Sequence, residues 1–303
     1  MKILKVLIHS LIITVILLLN FSKAGVCPNN NLFCFLKNYN NLYLFDLKQQ
    51  KLIKKQELND YYESVFFISK DKLVFQKQDR IAIIDVNSIN KEAEFGFKEQ
   101  IKNIKVLSEN DRETNFIVFT RYSLKLFNYR KDNKSIKLVL QTELSRFFDF
   151  VVKNNQIYVA NNLFISIFKI SNFFGFRFIS RKNIKMDHTI YSLDISSNKY
   201  VILHYLSSIK RRLSFYTLSG LEMKRIELEG NYHKIWFDFE EKEIVLYDKS
   251  NIIRLAKIDG SVRESNVFEN EVVYMDKFSD GFILVLNDKE PQFIVLSKNF
   301  NTL

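Results

Sequence analysis

Glycine, proline and cysteine are scarce in this chain of 303 residues, which contains 7, 2 and 2 of them. Loops that cradle phosphate need several glycines at fixed spacing, and neither GxGxxG nor GxxxxGK followed by Ser or Thr occurs. The GxSxG, HExxH and EF-hand motifs are also absent from the sequence. The sequence therefore predicts no catalytic residue, no cofactor and no metal site, and it favours a protein that is not an enzyme.

Aromatic and charged residues are abundant instead. The chain has 29 Phe and 14 Tyr, and its hydrophobic fraction of 47% is enough for a buried core and favours strands. The formal charge of +11 is typical of proteins that bind nucleic acid or anionic membranes. However, the basic residues are spread along the chain, and the many Lys, Asn, Ile, Phe and Tyr residues match AT-rich codon usage. We therefore expect no nucleic-acid partner.

Residues 1–24 have the pattern of a signal peptide. Lys2 and Lys5 provide a positive start, the stretch 6–19 is mainly apolar, and small residues precede Gly25. We expect cleavage before Gly25 and a location in the ER lumen or outside the cell. The alternative is an uncleaved anchor, because the apolar stretch is only slightly shorter than a membrane span.

Both cysteines follow this leader closely. Cys27 and Cys34 flank the turn-forming residues 28–31, so a hairpin there brings the two thiols within range. In an oxidising compartment an even number of cysteines favours pairing. We predict a disulfide between Cys27 and Cys34, with two unrelated thiols as the alternative.

Short apolar runs that end in a polar residue recur at intervals of 39 to 48 residues. Each is preceded by a run that is almost continuously apolar, such as 72–75 or 283–286, as expected for a strand covered on both faces. More charged runs such as 51–57 suit an outer edge strand. A repeat of about 40–45 residues with four short strands is the signature of a propeller blade. The polar ends are Asp46, Asp85, Asn128, Lys169, Thr217, Lys257 and Ser297.

We therefore predict an all-β fold, a seven-bladed β-propeller of four-stranded blades that forms one domain over residues 25–303. Six blades are the alternative, because the two ends do not close neatly. The first repeat has at most a short strand at 25–28, and the seventh stops after its third strand. A partner could add a strand at the edge left there.

The arrangement resembles the WD-repeat class of propeller in degenerate form. Residues 187–189, Asp-His-Thr, open the fifth repeat where that family often places a His, and His233 opens the sixth in the same way. Asp46 and Asp85 match the Asp of the family's Trp-Asp pair, although the single tryptophan, Trp236, lies elsewhere. The resemblance covers residues 31–303 and implies architecture only, because this fold carries unrelated activities.

Few side chains in the repeats are candidates for catalysis or metal binding. The repeat places His188, His204 and His233 in different strands or blades, which indicates structural roles. Asp238, Glu240 and Glu241 fit the end of a strand and a charged turn better than a pair of catalytic carboxylates.

Three surface features are candidates for modification or contact. Asn133 begins an N-glycosylation triplet in a polar turn. Residues 210–212 form the densest basic cluster, which suits an acidic partner, anionic head groups or a solvated hairpin turn. Aromatic residues at a predicted hairpin tip form either an exposed contact or packing beneath a loop. The candidate contact residues are Phe173, Phe174, Phe176, Lys210, Arg211 and Arg212.

Three functions fit the sequence. The first is a non-enzymatic scaffold of the secretory pathway that binds protein partners. The second is a lumenal subunit of an ER membrane complex, held at the membrane by its uncleaved leader. The third is a propeller hydrolase or quinoprotein-like enzyme, which requires polar residues to converge from inner strands that look strongly apolar.

Overall fold

The structure is a computed structural model that describes residues 24–26, 32–153, 156–171 and 177–302. Within these ranges the strands form seven sheets, six of four strands and one of three, so the predicted seven-bladed propeller is confirmed and the six-bladed alternative is wrong. Blade 1 contains β1 (Ala24–Val26), β2 (Leu32–Lys37), β3 (Asn41–Asp46) and β4 (Lys51–Glu57); blade 2 contains β5 (Ser64–Phe67), β6 (Lys72–Lys77), β7 (Arg80–Asp85) and β8 (Lys91–Gly96); blade 3 contains β9 (Ile101–Glu109), β10 (Glu113–Thr120), β11 (Ser123–Arg130) and β12 (Ser135–Glu143).

The remaining four blades follow in the same order along the chain. Blade 4 contains β13 (Phe147–Lys153), β14 (Gln156–Asn161), β15 (Phe164–Ser171) and β16 (Arg177–Lys185); blade 5 contains β17 (Ile190–Ile195), β18 (Lys199–Tyr205), β19 (Lys210–Thr217) and β20 (Glu222–Glu229); blade 6 contains β21 (Lys234–Phe237), β22 (Glu243–Tyr247), β23 (Ile252–Lys257) and β24 (Val262–Val267); blade 7 contains β25 (Val272–Phe278), β26 (Gly281–Leu286) and β27 (Gln292–Ser297).

The chain divides into two compact units. The first contains blades 1 and 2 with residues 108–114 and 129–136 of blade 3, and the second contains the rest of blade 3 with blades 4 to 7. In the second unit the first strands β13, β17 and β21 contact one another in sequence, which makes the first strand the innermost one of its blade.

Apolar side chains fill the space between neighbouring sheets. In the first unit one cluster joins blades 1 and 2, and in the second unit four clusters join successive blades from 3 to 7. All six residues of β26 are buried, whereas none is buried in the outer strand β24. The predicted contrast between apolar second strands and charged outer strands is therefore confirmed in these two strands.

Aspartate ends two of the third strands, β3 and β7, where its carboxylate caps the turn that follows. Asp46 Oδ1 accepts hydrogen bonds from the backbone N–H groups of Lys48 and Gln49, each at 2.8 Å. Asp85 Oδ1 accepts in the same way from Asn87 and Ser88. A side chain that satisfies two backbone donors forms a tight turn without glycine.

The ends of the propeller match the sequence prediction closely. Strand β1 is three residues long and pairs with β2 through Ala24 and Phe35, one residue before the predicted start. In the described residues blade 7 has three strands, extended only by an isolated bridge between Leu296 and Thr302.

Several predicted features lie outside the described residues. They are the leader before Ala24, Cys27, and the aromatic residues Phe173, Phe174 and Phe176. Cys34 is fully buried in β2, and its disulfide with Cys27 stays a prediction. The ranges that the structure describes contain no helix long and apolar enough to cross a membrane.

Candidate interaction site

A pocket of about 510 Å³ lies where the innermost strands of blades 3 to 6 begin. These strands run in the same direction, so their first residues meet at one end of the second unit. The turn between β10 and β11 adds Arg121. We call this feature the strand-start pocket; its lining residues are Lys102, Asn103, Arg121, Arg146, Phe147, Phe148, Asp149, Tyr191, His233 and Lys234.

Cations dominate one side of the pocket. Arg121 and Arg146 are exposed, and in the described part of the chain neither forms an ion pair with a carboxylate. Each guanidinium lies over an aromatic ring, 5.2 Å from the ring centre of Tyr122 and 4.9 Å from that of Phe148. Burial, reinforced by the positive charge of Arg121, lowers the pKa of Lys102. The pocket therefore holds positive charges in close proximity.

Neighbouring aromatic rings also line the pocket. The ring centre of Tyr191 lies 6.2 Å from that of Phe148 and 5.8 Å from that of His233. The guanidinium of Arg211 lies 5.1 Å from the ring centre of Tyr191 and 4.9 Å from that of Tyr205, and the two ring centres are 6.2 Å apart. These cation–π contacts help to hold both rings in place.

Arg211 is not the surface residue that the sequence suggested. Its side chain is 1% exposed, and its guanidinium donates to the backbone carbonyls of Tyr232 and Lys210, each at 3.0 Å. It also donates to the carbonyl of Ser207 and to Oδ1 of Asn231. Two of these acceptors lie in or beside the β18–β19 turn and two lie just before β21, so the buried guanidinium joins the turn to the start of blade 6.

The other two residues of that basic cluster differ from each other. Lys210 is exposed, whereas Arg212 is mostly buried and lies 3.4 Å from both Asp187 and Glu227. Residues 210–212 therefore do not form one exposed basic patch. A contact role for Lys210 stays a prediction.

A buried carboxylate forms the floor of the pocket. Asp149 of β13 is 4% exposed and accepts from the hydroxyl of Ser192 at 2.6 Å and the N–H of Leu193 at 3.1 Å. It also forms an ion pair with Lys234 of β21. Burial alone lowers the pKa of Lys234, but the charge and hydrogen bond of Asp149 outweigh that effect and raise it. This carboxylate thus connects three blades.

Further charges lie deeper along the innermost strands. Burial raises the pKa of Asp194 and Asp276, and it lowers the pKa of Lys105 and Lys277. Asp194 accepts from the backbone N–H of Phe237, and Lys277 donates to the carbonyl of the same residue, both at 2.7 Å. These side chains hold neighbouring innermost strands together.

The apolar runs that the sequence predicts as inner strands are the second strands of the blades, whereas these buried charges belong to the first strands. Asp149, Asp194 and Asp276 come from three of these innermost strands. Among the described residues, no group of three His, Cys, Asp or Glu side chains is placed to hold a metal ion. Asp149 and Asp194 are already engaged by backbone N–H groups, which assigns them to structure.

The histidines are closer together than the sequence suggested. The rings of His188 and His204 lie 6.4 Å apart within blade 5, and Nδ1 of His204 lies 3.2 Å from the carbonyl oxygen of His188. His204 is fully buried, and burial lowers its pKa to about 4. His233 lines the pocket, and burial followed by the charge of Lys249 lowers its pKa to about 4. The hydrogen bond of His204 agrees with the structural role that the sequence favoured.

We expect the free energy of unfolding to decrease as the pH falls from about 6.5 to about 4. In the unfolded chain His204 has an ordinary pKa near 6.5, whereas its folded pKa is about 4. The unfolded chain therefore binds more protons in this window, at a cost of about 3 kcal/mol across it. Urea unfolding at pH 7 and pH 4.5 measures the loss.

The matched variant is His204→Asn, which keeps a hydrogen-bond donor but does not ionise in this range. Its stability is expected to decrease less between the two pH values than that of the original protein. An equal decrease in both proteins would rule out His204 as the source.

Asn133 lies in the exposed turn between β11 and β12. Its Oδ1 accepts a hydrogen bond from the hydroxyl of Ser135 at 2.5 Å. The exposure predicted for this triplet is confirmed, and its glycosylation stays a prediction. Asp238 caps a turn by accepting from the N–H of Lys242 at 2.7 Å, as its sequence context indicated.

Similarity to known proteins is visible in structure only. No family model matches the chain, and no curated protein matches its sequence. Hsv2 from Kluyveromyces marxianus superimposes with a TM-score of 0.63 at 10% identity, over 87% of this chain and 88% of that one. Sqt1 from Saccharomyces cerevisiae gives a TM-score of 0.59 at 11% identity, over 93% and 94% of the two chains.

The WD40 domain of Pan2 from Neurospora crassa gives a TM-score of 0.57 at 10% identity, over 86% of this chain and 84% of that one. Identities this low show the fold alone. The structural neighbours are WD40 and related β-propeller proteins, so the resemblance to degenerate WD-repeat propellers is confirmed as architecture.

Proposed function

We propose that this protein is a secretory-pathway β-propeller that acts as a non-enzymatic scaffold and binds a protein partner at the strand-start pocket. The observation that carries the proposal is the pair Arg121 and Arg146. Both are exposed at the edge of a concave pocket, and neither has a carboxylate partner in the described part of the chain. Arginine is enriched where proteins bind one another, together with aromatic residues.

The charges below the pocket support a scaffold rather than an enzyme. The carboxylate of Asp149 is occupied by a hydroxyl, a backbone N–H and the ammonium of Lys234. A general base needs a free acceptor within reach of its substrate. The rigid floor instead keeps β13 and β17, which carry the rings of Phe148 and Tyr191, in fixed positions, and this lowers the entropy cost of binding.

The proposed location rests on the leader pattern of residues 1–24. We place the mature chain in the ER lumen or outside the cell, starting at Gly25. The alternative is a lumenal subunit held at an ER membrane complex by an uncleaved leader. N-terminal sequencing of the purified protein distinguishes them, because a chain that still carries the leader contradicts cleavage.

The test compares the full-length protein, tagged at its C-terminus, with Arg121→Gln/Arg146→Gln. Both proteins are purified from native membranes and medium, and co-purifying proteins are quantified by mass spectrometry. We expect at least one abundant partner to fall tenfold or more with the variant. The partner is expected to be lost because the variant removes two charged side chains that donate hydrogen bonds to it.

The matched control is Arg112→Gln/Arg130→Gln. It removes the same charge from two exposed arginines that do not line the pocket, so the same partner is expected to be retained. A partner set that is identical for all three proteins would contradict the proposal.

A further inference from the structure

We propose that the strand-start pocket recognises an acidic peptide segment, with carboxylates bound by Arg121 and Arg146 and a neighbouring apolar side chain against the rings of Phe148 and Tyr191. This inference rests on the proposed function and specifies the partner's chemistry. It follows from the charge of the pocket, from the elements that carry its cations and from the rings beside them.

The lining of the pocket has an unbalanced charge. It contains Lys102, Arg121, Arg146 and Lys234 against a single carboxylate, Asp149, a net formal charge of +3 with His233 neutral. Lys234 and Asp149 neutralise each other. The charges of Arg121 and Arg146 remain at the rim, where a negatively charged ligand can bind them.

The rim cations suit carboxylates in particular. A guanidinium is a planar fork that donates two parallel hydrogen bonds to one carboxylate. Arg121 and Arg146 come from different elements, the β10–β11 turn and the residue before β13, and both line one pocket. Two guanidinium groups on separate elements can therefore bind two carboxylates that are spaced along an extended peptide.

The aromatic side of the pocket points to a peptide rather than a small anion. Phe148 and Tyr191 are half-buried with ring centres 6.2 Å apart, and the guanidinium of Arg211 lies 5.1 Å from the ring centre of Tyr191. Rings of this kind contact an apolar side chain, which an inorganic anion lacks. The pocket volume of about 510 Å³ falls in the range of sites for ligands larger than a single ion.

Nucleic acid fits the site less well. Proteins that bind a single strand place their cations along a groove that follows the phosphate backbone. Here the unpaired arginines are confined to one concave pocket. The observations therefore favour a short acidic segment of a protein.

The experiment measures binding by fluorescence anisotropy. The probe is a labelled eight-residue peptide of Asp and Glu with one central Phe, added to the full-length protein. Changing Arg121→Gln/Arg146→Gln is expected to weaken binding about a hundredfold, because each charged hydrogen-bond donor contributes about tenfold. Arg112→Gln/Arg130→Gln is expected to change the affinity less than about twofold. Circular dichroism checks that both variants fold.

Further binding measurements identify which groups of the peptide and the protein give rise to the affinity. The peptide with Asn and Gln in place of its acids is expected not to bind, and replacement of its Phe by Ala is expected to weaken binding several-fold. Arg121→Lys/Arg146→Lys is expected to give an intermediate affinity, because the charge remains and the fork is lost. Raising the ionic strength from about 0.01 M to 0.1 M is expected to weaken binding as screening increases.

Three results would overturn the inference. The first is equal affinity of the peptide for the original protein and for Arg121→Gln/Arg146→Gln. The second is complete displacement of the peptide by millimolar inorganic phosphate, which indicates a simple anion site. The third is tighter binding of single-stranded RNA or of phosphatidylserine vesicles than of the peptide.

The two proposals fail in different ways. If the acidic peptide does not bind, but a cellular partner is still lost with Arg121→Gln/Arg146→Gln, the scaffold stands and its ligand is not acidic. If the peptide binds and no co-purifying protein depends on the two arginines, the site stands and the scaffold function does not.

Discussion

Replacing Asp149 with alanine is expected to lower the free energy of unfolding by about 3 kcal/mol. The substitution leaves the ammonium of Lys234 without its carboxylate and the hydroxyl of Ser192 and N–H of Leu193 without an acceptor. Removing one partner of a buried ion pair costs roughly 3–5 kcal/mol. The lower end applies because the side chain of Lys234 is 32% exposed, which lets water solvate part of its charge. Urea unfolding at pH 7 provides the measurement.

Asp111→Ala is the matched control, since this aspartate is exposed and a surface substitution of this kind changes stability by about 0.5 kcal/mol or less. A double-mutant cycle with Lys234→Met isolates the ion pair. We expect the double variant to be less destabilised than the sum of the two single ones by at least about 1 kcal/mol. Strict additivity would show that the two side chains do not act as a pair.

Gly281→Ala is expected to destabilise the protein by about 3 kcal/mol, for a steric reason. A Cβ atom at this position lies 1.9 Å from the backbone carbonyl oxygen of Leu296. Gly281 begins β26 opposite Ser297 of β27, so the two strands must separate to admit the methyl group. Overpacking of this kind costs about 1–3 kcal/mol, and more where backbone must move. The midpoint of thermal unfolding reports the change.

Gly96→Ala is the matched control because nothing lies within 4 Å of the added Cβ. The backbone of Gly96 has no positive φ, so alanine fits without strain and reduces the freedom of the unfolded chain. We expect a change of at most about 0.5 kcal/mol, with a gain in stability possible. If the two variants unfold at the same temperature, the contact with Leu296 does not constrain the strand.

The architecture was predictable because each blade repeats the same local pattern. A near-continuous apolar run such as β26 and a charged outer strand such as β24 follow directly from how each strand is covered. Asp46 and Asp85 mark the ends of third strands because their carboxylates cap the next turn. These signals depend only on residues that are close together in the sequence, so they can be recognised without knowing the tertiary structure.

The site was not predictable in the same way. Arg211 belongs to the densest basic run of the chain, yet it is buried because distant aromatic residues and carbonyls surround it. Arg121 and Arg146 are 25 positions apart in the sequence and meet only when two elements are placed side by side. The pairing of Asp149 with Lys234 spans 85 positions. Contacts of this range depend on the whole tertiary structure.

The bonds of Asp149 to neighbouring blades also bear on how such a propeller can evolve. Repeat arrays grow and shrink by duplication and loss of whole repeats, because each unit ordinarily depends only on its immediate neighbours. Here one carboxylate of blade 4 serves blade 5 through Ser192 and blade 6 through Lys234. Removing or duplicating blade 5 would separate the buried carboxylate of Asp149 from at least one of these two partners. We therefore expect circular permutants and blade-shuffled chimeras to tolerate breakpoints elsewhere better than between these three blades.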